Sequence, residues 1–137
     1  MSRSLEEIAE IFNSVDVEMK VQILLDYARK LPPVPERLSA GKEAHRVHEC
    51  MTPLHLWVET ETDGTTRLYI DVAEEAPTIR GLAGILVDAY DGAPRERFDS
   101  LPDDLVNALG LGDVIRMNRV VGVAALVARI RRAVAAA

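Results

Sequence analysis

The sequence predicts an α+β fold, a small antiparallel three-stranded sheet packed against helices, in a single domain over residues 1–137. Three observations predict it. Apolar residues recur at helical spacing near both ends of the chain, and they alternate with period two in the middle. Strands and helices do not alternate, so a parallel doubly wound sheet is disfavoured.

Ser4-Leu5-Glu6-Glu7 fits a capping box, in which the Ser4 hydroxyl and the Glu7 carboxylate each reach the other's backbone N–H. A short helix follows, with Leu5, Ile8 and Phe12 on one side. Asp16 reads as the N-cap of a second helix, whose Val17, Val21, Leu24, Leu25, Ala28 and Leu31 share a stripe. Pro32-Pro33 ends it, because proline lacks the N–H and disfavours helix in the residue before it. Residues 33–44 read as a surface loop.

The period then changes. Leu54, Leu56 and Val58 alternate with His55, Trp57 and Glu59, which makes a two-faced strand with His55 expected on the exposed side and Trp57 expected to be packed. Asp63-Gly64 turns the chain, and Leu68, Ile70 and Val72 return as the paired strand. His45 to Cys50 is expected as a shorter lead-in strand, broken by Pro53, completing a meander. After Pro77 a helical stripe of Ile79, Leu82, Ala83, Leu86 and Ala89 resumes. Gly81 and Gly84 cost helix propensity within it, which points to close packing on the sheet. Gly92 and Pro94 close this helix, a short helix follows Pro102, and the Asp103-Asp104 pair serves its dipole. Asn118 is placed to cap a long, alanine-rich last helix.

Composition narrows the function. With 48% apolar and 28% charged residues, a chain of 137 residues builds an ordinary globular core without disulfides or metal. No apolar run approaches the roughly 20 residues that span a bilayer, and Met1 to Glu10 lack the layout of a secretory signal. A cytoplasmic location is expected, with no membrane partner. Net charge is −6, unevenly spread: all 22 acids lie at or before Asp113, and Arg116, Arg119, Arg129, Arg131 and Arg132 follow it. Nucleic acid is an unfavourable partner, since phosphate binding needs many cations that release counterions. The five arginines read as a solvated helix end suited to its own dipole, or as a dock for an acidic partner.

Phosphate-loop, dinucleotide and serine-hydrolase signatures are absent. His45, His48 and Cys50 lie close in sequence, but neither strand nor helix spacing converges all three, so no metal site is expected. Cys50 is the only cysteine and cannot form an intramolecular disulfide. Between a short strand and a proline-marked turn it is either displayed at a loop tip or buried as inert core. His48 would favour its thiolate if it came near, and Glu49 would oppose it.

Four segments resemble the SufE-type sulfur acceptor family: Leu24 to Leu31, the core Val47-x-Glu49-Cys50-x-Thr52-Pro53-Leu54, Glu75 to Tyr90, and Asn118-Arg119-Val120-Val121-Gly122-Val123 with the basic helix after it. The likeness covers nearly the whole chain, in order. Around the cysteine the common family pattern is Val-x-Gly-Cys-Gln-Ser/Thr-x-Val-Trp; Glu49 and Pro53 resemble a branch with Glu-Cys-Gln-Ser-Pro-Leu. Met51 in place of Gln departs from both, removing an amide that could hydrogen-bond the loop.

The resemblance implies a SufE-like fold and a sulfur relay. A SufS-type cysteine desulfurase, which uses pyridoxal phosphate, converts cysteine to alanine and holds the sulfur as a persulfide. The acceptor, with no cofactor of its own, takes it onto the cysteine matched here by Cys50. It thereby stimulates the desulfurase and passes sulfur towards an iron–sulfur scaffold. Glu75 and Arg119 match family positions near the cysteine loop or the desulfurase-facing surface; His48, Glu49, Met51 and Thr52 are further loop-stabilising or partner-binding candidates. The competing expectation is a non-catalytic interaction module on the same fold, with Cys50 inert and buried.

Overall fold

The computed structural model describes residues 3–136. Its helices are α1 (Leu5–Asn13), α2 (Val17–Lys30), α3 (Pro77–Tyr90), α4 (Leu105–Ala108) and α5 (Met117–Ala136), and its strands are β1 (Leu54–Thr60), β2 (Thr65–Val72) and β3 (Ala93–Pro94). The strands form one antiparallel sheet in the order β1-β2-β3.

Both predicted N-terminal caps form. Glu7 N–H donates to Ser4 Oγ at 3.2 Å and Ser4 N–H to Glu7 Oε1 at 3.1 Å, while Asp16 accepts from Met19 N–H at 2.9 Å. Pro77 opens α3, where its missing N–H costs nothing. Asp104 caps α4 through Asn107 N–H. The last helix begins at Met117, so Asn118 lies inside it rather than at its cap.

Leu54, Leu56 and Val58 stand opposite Val72, Ile70 and Leu68, and this face joins the main core with α3. Helix α3 is buried on nearly every side, with α2 packed along it. The two glycines of α3 serve that helix pair, not the sheet. A Cβ at Gly84 would lie 2.6 Å from the Tyr27 carbonyl oxygen, and one at Gly81 would collide with the Leu24 carbonyl.

The third strand also differs from expectation. Residues 42–45 wind into a 3₁₀ turn after Gly41, which takes φ +73°, and the lead-in contributes only a single bridge, Arg46 to His55. Strand β3 comes instead from the segment after α3. Gly92 at φ +80° reverses the chain, its N–H donates to Thr66 O at 2.7 Å, and Ala93–Pro94 pair with Thr66 and Thr65. Pro94 has no N–H to donate, which suits an edge.

The second face of the sheet is covered as well. His45 stacks on Trp57 with ring centroids 5.3 Å apart, Lys42 pairs with Asp71 at 2.8 Å and Arg37 with Glu59. Trp57 is buried as expected, but His55 is only 6% exposed, contrary to the alternation. The arginines of α5 are not merely solvated. Arg129 donates to Arg46 O at 2.8 Å, and Arg131 to Asp103 at 2.7 Å and to the Leu101 carbonyl. Among the described residues no helix is long and apolar enough to cross a membrane.

Candidate functional site

Cys50 lies in the turn that links the 3₁₀ segment to β1. The base of this loop is fastened on three sides. Val47 N–H donates to Leu54 O at 2.9 Å, Arg129 of α5 holds Arg46 O, and Ala73 N–H beyond β2 donates to Pro53 O at 3.1 Å. Val47 is fully buried and anchors the turn, and Cys50 N–H donates back to Val47 O at 3.2 Å. His48, Glu49 and Met51 are left at the solvent side of the loop.

The Cys50 side chain turns inward and is 4% exposed. Its sulfur lies against α5 where Gly122 removes the obstruction: a Cβ there would stand 3.0 Å from Sγ and 3.2 Å from the Cys50 Cα. Beside this contact is a cavity of about 190 Å³, lined by Cys50, Met51, Thr52, Ile79, Asn118, Arg119 and Gly122. Larger hollows lie elsewhere, including one of about 510 Å³ between α2 and α3. That hollow has no thiol in its wall, Cys50 being the single cysteine of the sequence.

Arg119 lies in the first turn of α5, where a cation opposes the helix dipole. Its Nη1 donates to Thr52 Oγ1 at 3.2 Å, tying α5 to the cysteine loop and holding the guanidinium at the cavity wall. Of the candidates named from sequence, the fold thus gathers Cys50, Met51, Thr52 and Arg119. His48 and Glu49 do not line the cavity, and Glu75 sits in the exposed turn between β2 and α3, outside the wall. Asn118, Gly122 and Ile79 complete the wall and had no site role from sequence. The only signal for Gly122 was its place in the Asn118–Val123 motif, and Ile79 read simply as core.

His55 stands at the foot of the loop, bridged to Arg46. Burial holds its pKa below the usual histidine value, Lys42 adds to the shift, and Asp71 opposes it. Asp71 Oδ2 is 3.6 Å from Nδ1, too far for a hydrogen bond, and both ring nitrogens lack a partner among the described residues. His45 Nδ1 is 3.1 Å from Leu56 O, so its ring is engaged by β1 and Trp57. Among the described residues no three His, Cys, Asp or Glu side chains converge as a metal site would require.

Residues 6–134 match the SufE family, described as an Fe-S metabolism associated domain. The chain belongs to the SufE family. Two uncharacterized SufE-like proteins, from two strains of Mycobacterium tuberculosis, are each 36% identical over 128 residues, covering 93% of this chain and 89% of theirs. A solution structure of a hypothetical protein from Thermus thermophilus has a TM-score of 0.84 at 32% identity, covering 99% of this chain and 96% of that one. The α+β arrangement seen here is therefore a SufE-like fold, and the family role lies in Fe-S metabolism.

Proposed function

We propose that this SufE-family chain is a sulfur carrier: Cys50 accepts sulfur from the persulfide of a pyridoxal-phosphate cysteine desulfurase and relays it towards iron–sulfur cluster assembly. The observation that carries the reading is the lone cysteine, seated on a loop fastened at its base and turned into a small cavity that it shares with Arg119.

The chemistry follows thiol–disulfide exchange. The Cys50 thiolate attacks the outer sulfur of the donor persulfide. A new Sγ–S bond forms, the donor's S–S bond breaks, and its electron pair leaves with the donor thiolate. One persulfide is exchanged for another, so no external oxidant or reductant is needed. Burial shields a single reactive sulfur from oxidation to sulfenic and higher acids. Direct transfer then requires the tip, residues 48–51, to swing while the fastened base holds.

That same 4% exposure is what favours the rival reading, an interaction module with inert Cys50. Replacement separates the two. In a desulfurase turnover assay without added reductant, Cys50→Ser abolishes stimulation while the variant still binds the desulfurase. Full stimulation by Cys50→Ser establishes the module instead.

A further inference from the structure

Among the described residues five large apolar side chains are exposed, and they are not scattered. The three most exposed are Met51 at 86%, Met117 at 85% and Val121 at 65%. All three belong to two of the three elements that wall the Cys50 cavity: Met51 is on the cysteine loop, while Met117 and Val121 are one turn apart on α5, beside Asn118 and Gly122. The other two, Val17 and Met19, lie at the start of α2.

We infer that Met51, Met117 and Val121 form the docking surface for the persulfide donor, and that the donor presents an apolar face with an acidic rim. This rests on the carrier reading above. A persulfide sulfur passes by direct contact, so whatever delivers it must cover the cavity mouth and bury the side chains around it. Exposed apolar residues grouped there gain from that burial, whereas elsewhere they would only risk aggregation. Methionine suits the purpose because its flexible thioether adapts to a surface that must bind and release.

Charge supplies the rim. The chain carries net charge −6, yet after Asp113 it has five arginines and no acid. Arg116 is exposed immediately before Met117, and Arg119 stands at the cavity. An acidic partner is repelled by the rest of the molecule and attracted here, which orients the encounter.

The test is a titration of desulfurase turnover with the carrier, comparing wild type, the double variant Met117→Ser/Val121→Ser, Arg116→Glu, and the control Val17→Ser/Met19→Ser. The concentration giving half-maximal stimulation should rise about tenfold or more in the first double variant. It should rise in Arg116→Glu with a weakened salt dependence, and stay at the wild-type value in the control. In parallel, wild type is loaded with glutathione persulfide, a donor that needs no protein surface. If wild type takes up sulfur and stimulates the enzyme but both double variants titrate alike, the docking surface is overturned and the carrier stands. If wild type takes sulfur from neither donor, the carrier reading fails and the docking surface falls with it. Conversion of a dimer to a monomer by Met117→Ser/Val121→Ser, with stimulation unchanged, would assign the patch to a second copy of this chain and overturn the proposal.

Discussion

Gly122 sets how Cys50 rests, because the sulfur and backbone of the cysteine occupy the space that any other side chain would need. An alanine there crowds Cys50 from 3.0–3.2 Å, tighter than ordinary van der Waals contact, and the loop is the softer of the two partners. Gly122→Ala should therefore push the tip outwards and speed thiol labelling several-fold. The melting temperature should move little, because alanine recovers about 1 kcal/mol of helix propensity against the crowding. An unchanged labelling rate would mean that Cys50 reaches solvent by a motion that α5 does not restrain. Arg119 works elsewhere on the cavity wall, where its bond to Thr52 ties α5 to the cysteine loop. The sequence motifs singled out the cysteine and this arginine. They could not show the glycine contact, which exists only because a loop and a helix 72 residues apart in sequence meet.

At the scale of elements, the helix pair α2–α3 supports the layer on which β2 and the Pro53 carbonyl are fastened. Gly84→Ala would drive a Cβ to 2.6 Å from the Tyr27 carbonyl oxygen, a backbone atom that cannot step aside alone. The helices must separate, and denaturant unfolding should show a loss of about 1–3 kcal/mol despite the better propensity of alanine. Retained stability would mean that the helices are less closely packed than these glycines imply. Elements with local causes were legible: the Ser4 box, the Asp16 cap, the proline stop after α2, and the paired β1 and β2. What sequence missed depended on distant cover. Period-two alternation placed His55 outside because it cannot see the 3₁₀ turn of residues 42–45 lying over that face. The same blindness put Gly81 and Gly84 against the sheet. The third strand was misplaced because two residues, Ala93–Pro94, carry too short a pattern to register, and Gly92 read only as a helix stop. At the site, the cysteine loop was readable as a motif, while the cavity wall from α3 and α5 required the fold.

Across the whole molecule, burial couples stability to pH through His55. His55 takes a proton near pH 6.5 in the unfolded chain, but burial lowers its pKa in the folded one. The unfolded state thus binds more protons as pH falls below about 6.5, and this contribution to stability is lost between that value and the lower folded one. His55→Gln should flatten the fall in melting temperature between about pH 7 and about pH 5.5; an equally steep fall would assign it to other groups. Cys50 lies on a loop fastened at its base by Val47, Arg129 and Ala73. Its chemistry is best read on the intact chain. After incubation with a cysteine desulfurase and free cysteine, without reductant, mass spectrometry should find a gain of about 32 Da, one sulfur atom, located on the Cys50 peptide and removed by dithiothreitol. A chain that stimulates the desulfurase yet keeps its unmodified mass would contradict the carrier role and leave Cys50 as part of the core.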